Sequence, residues 1–346
     1  MFKSFLLSIA YWTVLLMVVV TVRFVGIEFF TGVELGFPLY LIYLNSLPGG
    51  ILAGLTWVLV EITYKKWLRG KKISFGTTIL LKTIIYFLMF MVVMFLASMV
   101  GGGSFEYAVD YTFSLLAIGN IIASFIGALI FVFIQQMDRK LGPGILLQYL
   151  TGKYFKPREE ERIFMFMDLK SSTTIAEKAG HIMYSKLIQD CYQELTTPVK
   201  ENKGEIYQYV GDEVVICWKT KNGLEKLNCI NFYFDYIMTL ERRRQYFFEK
   251  YGVFPEFKAG ASVGSVMAVE VGELKSEIAF HGDVLNTASR VQGYCNQLKE
   301  QLLITQSLVV LLPSTDKYNF SELGAFELRG KEKELVLFGV SKQNLE

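Results

Sequence analysis

Two aspartates in this chain sit where metal and phosphate chemistry could be done. Asp168 closes the apolar run "RIFMFMDL" and is followed at once by Ser171, Ser172 and Thr173 at a helix start. Free backbone N–H groups at such a start can receive phosphate oxygens. Asp212 stands between the apolar runs of "YQYVGDEVVICW". Two carboxylates joined by phosphate oxygens are the hard, octahedral oxygen set that magnesium accepts. Gly-Asp is also what an ordinary hairpin turn uses, so the pair becomes a site only if the two strands are neighbours. A third element is "HGDVLNTASRVQ", which places Asn286 and Arg290 four apart on one helical face. An amide there can orient a sugar oxygen, and a guanidinium can carry charge developing on a phosphoryl group. A surface arginine beside a helix-start asparagine is the plainer alternative.

The elements that must position these residues begin near Arg162. "RIFMFMDL" reads as a buried strand, "SSTTIAEKAG" as a capped helix start and "IMYSKLIQDCYQELTTPVKENKG" as an amphipathic helix. The hairpin around Asp212 follows, then a long helix near residues 222–250 and a strand "FKAGASVGSVMAVEV". A turn at "FHGD", a helix from about Val284 and a terminal strand pair around "FELRGKEKELVLFGV" complete the series. This order implies an α+β sandwich, with helices packed on a mainly antiparallel sheet, over residues 161–346.

Ahead of it the chain changes character. The apolar share is 52%, above the usual ~45–50% of soluble proteins. Four charge-free stretches, within residues 5–22, 36–60, 83–105 and 111–137, are long enough to cross a bilayer as helices, which takes roughly 20 residues. Residues 1–137 are therefore expected to form a four-helix transmembrane domain, with a connector over 138–160. The first stretch lacks a small-residue cleavage site and three more follow it, so it reads as a span rather than a signal peptide. "YKKWLRGKK" between spans two and three carries five basic residues, whereas the loop after span three offers Glu106 and Asp110. Positive charge stays inside, which puts both termini in the cytoplasm. Pro48, Gly49 and Gly50 are expected to mark a kink or a displaced helix start. No span carries a carboxylate pair or an ion-relay pattern, which argues against a transporter. In the connector, "ILLQYLTGKYF" could lie along the membrane surface or pack against a partner or the soluble domain. A net charge of +2 makes no case for nucleic acid, and four cysteines without metal-ligand spacing fit free thiols in a reducing compartment.

Four segments, "FMFMDLKSSTTIAEKAG", "GEIYQYVGDEVVICW", "AGASVGSVMAVEVG" and "GDVLNTASRVQ", resemble in order and separation the successive signatures of the class III nucleotidyl cyclase catalytic domain, in a membrane-anchored bacterial arrangement. The resemblance covers about residues 160–342. It implies cyclisation of a nucleoside triphosphate to the 3′,5′-cyclic monophosphate and pyrophosphate, in a homodimer at the inner membrane with a cytoplasmic catalytic domain. By the same resemblance Asp168, Asp212 and the carbonyl of Leu169 hold two Mg²⁺ or Mn²⁺ ions per site, Asn286 orients the ribose, and Arg290 stabilises the transition state. Ser171, Ser172 and Thr173 face phosphate. The family's C-terminal phosphate lysine falls at Arg329, with Lys331 close behind.

Two positions depart from the pattern. The family's adenylate cyclases commonly read the base with a lysine four residues before the second metal aspartate and an aspartate or threonine seven before the asparagine. Here those positions hold Gln208 and Ala279. A glutamine amide both donates and accepts, so it pairs with adenine or guanine, and alanine adds no hydrogen bond. ATP is favoured, with GTP next and a pyrimidine triphosphate third. A nucleotide-binding receptor without turnover is the rival of another class, and the full set of two acids, Asn286 and Arg290 argues against it. The charge distribution yields a topology prediction. In intact cells a cysteine at Ser104 should be labelled by an impermeant thiol reagent and one at Gly70 should not; the reverse pattern would overturn the orientation.

Overall fold

The structure is a computed structural model that describes residues 6, 8–18, 21, 39–67, 73–102, 104–112, 115–327 and 334–343. The chain divides into two units, residues 1–141 and 142–346.

The first unit is helical: α1 (Ser8–Val18), α2 (Leu39–Trp67), α3 (Phe75–Gly102), α4 (Phe105–Thr112) and α5 (Leu115–Leu141). Among the described residues two stretches are long and apolar enough to cross a membrane, Phe75–Val92 in α3 and Ile121–Leu141 in α5. α2 is helical through Pro48, so that proline does not displace the helix start. α3 also begins earlier than the third charge-free stretch and takes in Lys82.

Among the described residues of this unit the exterior is apolar and several polar groups are buried, unlike a soluble bundle. Leu59, Leu80, Leu88, Ile122 and Phe133 are among many large apolar side chains left exposed on the helices. Ser8, Thr13, Lys82, Thr83, Ser124 and Gln136 are buried among them. The inner faces meet around Phe131, whose ring lies 5.7 Å from Trp12, 6.4 Å from Trp57 and 6.3 Å from Tyr86. Lys82, fully buried, donates to Glu61 of α2 at 2.6 Å and sits 4.7 Å above the Tyr64 ring. The two residues lie one position outside the second and third charge-free stretches, 36–60 and 83–105. A charge-free criterion ends a span at any lysine, whereas the fold keeps this one by giving it a carboxylate partner.

The second unit holds α6 (Ile145–Leu150) and then an eight-stranded sheet. The chain order is β1 (Arg158–Leu169), α7 (Ser172–Glu194), α8 (Thr196–Glu201), β2 (Glu205–Val210), β3 (Glu213–Lys219), α9 (Thr220–Leu224), α10 (Asn228–Glu241) and α11 (Arg244–Tyr251). Then come β4 (Phe257–Val271), β5 (Glu277–His281), α12 (Asp283–Leu298), β6 (Leu302–Thr305), α13 (Gln306–Val309), β7 (Tyr318–Phe326) and β8 (Leu335–Lys342). Across the sheet the order is β2-β3-β1-β4-β6-β8-β7, with β5 on β4. All pairs are antiparallel except β4 with β6, so the α+β, mainly antiparallel expectation holds.

β1 is covered on both faces, which is why it reads as an almost unbroken apolar run. Ile163, Met165, Met167 and Leu169 pack toward the core that includes α7, α8 and α10, while Phe164 and Phe166 join Val284 and Ala288 of α12. The long helix expected near 222–250 is instead three helices. Lys226 and Leu227 adopt left-handed φ values of 52° and 61°, breaking α9 from α10, and the chain turns again at Arg242–Arg243 before α11. The expected turn at "FHGD" is partly strand, since β5 runs to His281. Of the expected terminal pair, the strands run over Tyr318–Phe326 and Leu335–Lys342, and residues 328–333 of the charged stretch lie outside the described residues.

The buried ion pair of the helical unit gives a stability prediction. Lys82→Met or Glu61→Gln alone leaves one charge buried without its counterpart and is expected to cost about 3–5 kcal/mol, while replacing both together should be close to neutral. Thermal unfolding in detergent reads the difference, and a double variant as damaged as either single one would contradict it.

Candidate active site

The site grows from the C-terminal end of β1. Asp168 lies opposite Glu213 of β3 on one side and Lys258 of β4 on the other. Val210 and Glu213 are paired, so Gly211 and Asp212 form a two-residue turn between β2 and β3. Gly211 has φ of 62°, the left-handed region that such turns need and that glycine occupies without strain. Its carbonyl accepts a hydrogen bond from Tyr192 of α7 at 3.0 Å, which ties the turn to the core. Because β1 and β3 are neighbours, the two aspartates are brought to one spot.

The electrostatics record that closeness. Burial first, and then the charge of Asp212, raise the Asp168 carboxyl above its ordinary value, against the pull of Lys258 at 3.5 Å. Glu213 is raised as well, by burial and then by Asp168 and Asp212. Gln292 of α12 donates to Asp168 at 3.3 Å. Among the described residues no group of three or more His, Cys, Asp or Glu side chains could hold a metal. Two crowded carboxylates nevertheless fit a divalent cation whose remaining oxygens come from a backbone carbonyl and from phosphate. Leu169 is 1% exposed with its side chain in the core, so it has only its carbonyl to offer.

Ser171 has φ of 57° and precedes the first turn of α7, which starts at Ser172. Helix starts leave N–H groups without intrahelical partners, and these follow Asp168 directly. α7 breaks at Gly180 (φ 74°), matching the division between the expected helix start and the amphipathic helix.

α12 presents two faces. Val284, Ala288, Val291 and Cys295 are buried on the sheet, and Gln292 reaches Asp168 from this side. Asn286 is exposed and Arg290 partly so, one turn apart. Neither makes a hydrogen bond or ion pair to Asp168 or Asp212, so the chain brings the acids together and leaves Asn286 and Arg290 on a separate surface. The helix can lie this close because β4 carries Gly260. A Cβ there would stand 2.1 Å from the Gln292 nitrogen and 2.7 Å from the Ala288 carbonyl oxygen.

Gln208 lies exposed on β2 just past a bulge, and Ala279 lies on β5 opposite Val269. Their chain neighbours touch: the rings of Tyr207 and Phe280 are 5.1 Å apart, and the Phe280 N–H points to the Tyr207 hydroxyl at 3.4 Å. Arg329 and Lys331 lie outside the described residues. Sequence reasoning missed Lys258, Gln292 and Glu213. Lys258 had a visible signal, the one basic residue in a mostly apolar strand; Gln292 had a weaker one, a polar residue on the apolar stripe of its helix.

Residues 156–340 match the model of the adenylate and guanylate cyclase catalytic domain, and the chain belongs to that family. Among curated proteins it is 31% identical over 214 residues to adenylate cyclase 2 of Rhizobium meliloti (strain 1021), covering 62% of this chain and 59% of that protein. It is 21% identical over 198 residues to guanylate cyclase 2G of Mus musculus, covering 55% of this chain and 17% of the mouse protein. The structure of a bacterial light-regulated adenylyl cyclase shares the fold, with a TM-score of 0.53 at 19% identity over 62% of this chain and 64% of the other.

The crowding at Asp168 has a measurable cost. A carboxyl raised in the fold binds its proton more tightly there than in the unfolded chain. Its favourable contribution is therefore complete below the unfolded value, near 3.9, and is lost as pH rises through the folded one. Without metal, Asp168→Asn should raise the unfolding midpoint at pH 7 by about 2–4 °C, and the gain should fade as the pH drops below about 4. A lower midpoint at pH 7 would mean that Lys258 and Gln292 already balance the charge.

Proposed function

We propose that this chain is a membrane-anchored nucleotidyl cyclase. It converts a nucleoside triphosphate, ATP before GTP or a pyrimidine nucleotide, to the 3′,5′-cyclic monophosphate and pyrophosphate. The observation that carries the reading is the division of the site: Asp168 and Asp212 share one spot, while Asn286 and Arg290 face away on α12. A two-fold homodimer joins the halves, each site taking its acids from one protomer and its Asn286 and Arg290 from the other.

Asp168, Asp212 and the Leu169 carbonyl would hold the divalent ions, and Lys258 adds a positive charge beside them for the triphosphate. Bound there, the ions favour the ionised 3′-hydroxyl and balance the phosphate charge. Asn286 orients the ribose so that its 3′-oxygen faces the α-phosphorus, and the N–H groups at the start of α7 receive phosphate oxygens. As the new O–P bond forms and the bond to pyrophosphate breaks, Arg290 stabilises the charge on the phosphoryl oxygens. The adenylate cyclase of Rhizobium supports ATP as the substrate. Gln208 and Ala279 keep the base open, because neither repeats the pairing groups of the common adenylate pattern.

The exposed apolar side chains and buried polar groups among the described residues of 1–141 support the anchor. An exterior of leucine, isoleucine and phenylalanine over buried hydroxyls and an ion pair suits lipid better than water. We read the unit as four spans, with both termini and the catalytic domain in the cytoplasm.

Purified chain incubated with Mn²⁺ or Mg²⁺ and each of the four ribonucleoside triphosphates should yield a cyclic product. Asp168→Ala, Asp212→Ala and Arg290→Ala should each abolish nearly all of it. Co-expressed Asp168→Ala and Arg290→Ala chains place both lesions in one site of a mixed dimer and leave the other intact. Random pairing should restore roughly a quarter of wild-type activity by symmetry. Mixed dimers that form by pull-down yet stay inactive would rule out the shared site.

A further inference from the structure

Arg162 lies six residues before Asp168 on β1, on the same face of the strand, and has no part in the chemistry above. It is 1% exposed. A guanidinium buried this fully needs compensation from every side, and the partners show what it organises. One arm donates to Glu205 at 2.8 Å, on β2, three residues before Gln208. The plane lies 4.4 Å over the ring of Phe280, on β5, the residue after Ala279. The other arm pairs with Glu160 at 2.8 Å. Arg162 therefore touches both strands that carry the two base-reading positions.

The contacts between those strands close around it. Phe164, two residues along β1, is 6.1 Å from the Tyr207 ring and 5.6 Å from the Phe280 ring, both edge-on. The β2 bulge between Ile206 and Gln208 carries Tyr207, which is half-buried against this cluster, while Gln208 stays exposed. With Tyr207 and Phe280 in contact, the separation of Gln208 and Ala279 is set by what Tyr207 and Phe280 rest on. They rest on Phe164, and Phe280 also on Arg162.

Glu160 is anchored in turn by the segment after α6. It accepts from the Tyr154 hydroxyl at 2.7 Å and from Lys153 at 3.1 Å. Burial alone would raise its carboxyl, but these donors together with Arg162 outweigh it and bring Glu160 down to about 2. The Tyr154 carbonyl accepts from Glu270 at 2.9 Å, and Glu270 pairs with Ile278, next to Ala279. Residues 153–154 thus grip the same wall from behind.

Resting on the cyclase reading, we propose that Arg162 is the positioning residue that sets the spacing between Gln208 and Ala279 and, through it, the discrimination between bases. It contacts no substrate itself. Arg162→Met keeps the length of the stem and removes the charge and the planar fork. Full-length protein assayed with all four nucleoside triphosphates should lose about fivefold or more in the kcat/KM ratio between its preferred and second nucleotide. The change should lie in KM, with kcat on the preferred nucleotide within about threefold of wild type. Two milder variants should shift the ratio in the same direction by less: Glu205→Gln, whose side chain is 38% exposed, and Tyr154→Phe, which removes one hydroxyl. These carry the test if Arg162→Met does not fold. An active wild type whose ratio is unmoved in the folded variants, or whose kcat falls equally for every nucleotide, overturns the role of Arg162 alone. A wild type inactive on all four removes the cyclase reading, and the proposal with it.

Discussion

The close approach of α12 to β4 at Gly260 is the constraint on which the catalytic unit depends. With no side chain between helix and strand, the backbone at Ala288 and Gln292 comes almost onto the sheet. That depth decides which residues of α12 look inward. Val284, Ala288, Val291 and Cys295 fill the space over the sheet, and Gln292 is carried to the Asp168 carboxylate. The outward face, with Asn286 and Arg290, is fixed by the same rotation of the helix. A single absent methyl group therefore sets which residues of α12 meet the sheet and which do not.

Charge is handled differently at two places along β1. At the Asp168 end carboxylates are crowded and incompletely balanced, an arrangement that favours a divalent cation and costs stability without one. Around Arg162 every charge has a partner: one guanidinium, two carboxylates, a lysine and a tyrosine hydroxyl form a satisfied network over an aromatic face. Buried polar networks of the second kind rigidify what they touch. The same strand thus presents a strained part for ligands and a rigid part for geometry.

Much of the catalytic unit was legible in the sequence because its signals are local. An apolar run ending in Asp168, a serine-rich helix start and a Gly-Asp turn each state their own conformation, and β4 could be read residue for residue from "FKAGASVGSVMAVEV". What escaped depends on partners distant in sequence. β6 has four residues, too few to show a period, and exists because β4 and β8 flank it. The breaks around Lys226 and Arg242 use no glycine or proline, so the composition of residues 222–250 still looks like one helix. Lys258 and Gln292 gain meaning only from the register that sets them beside Asp168. Lys82 falls outside a charge-free span by its own charge, and the partner that lets α3 keep it, Glu61, belongs to another helix.

That last pair bears on how the molecule is made. For a unit embedded in lipid, a lone lysine in the apolar stretch of α3 opposes partitioning by about 2.5–3.5 kcal/mol on insertion scales. Glu61 sits on the helix synthesised just before it, 21 residues upstream. On the membrane reading proposed above, α2 and α3 entering the bilayer together as a hairpin, with the two charges paired, would meet less of that opposition than α3 entering alone. On that reading the pair couples two neighbouring helices during assembly as well as in the finished fold.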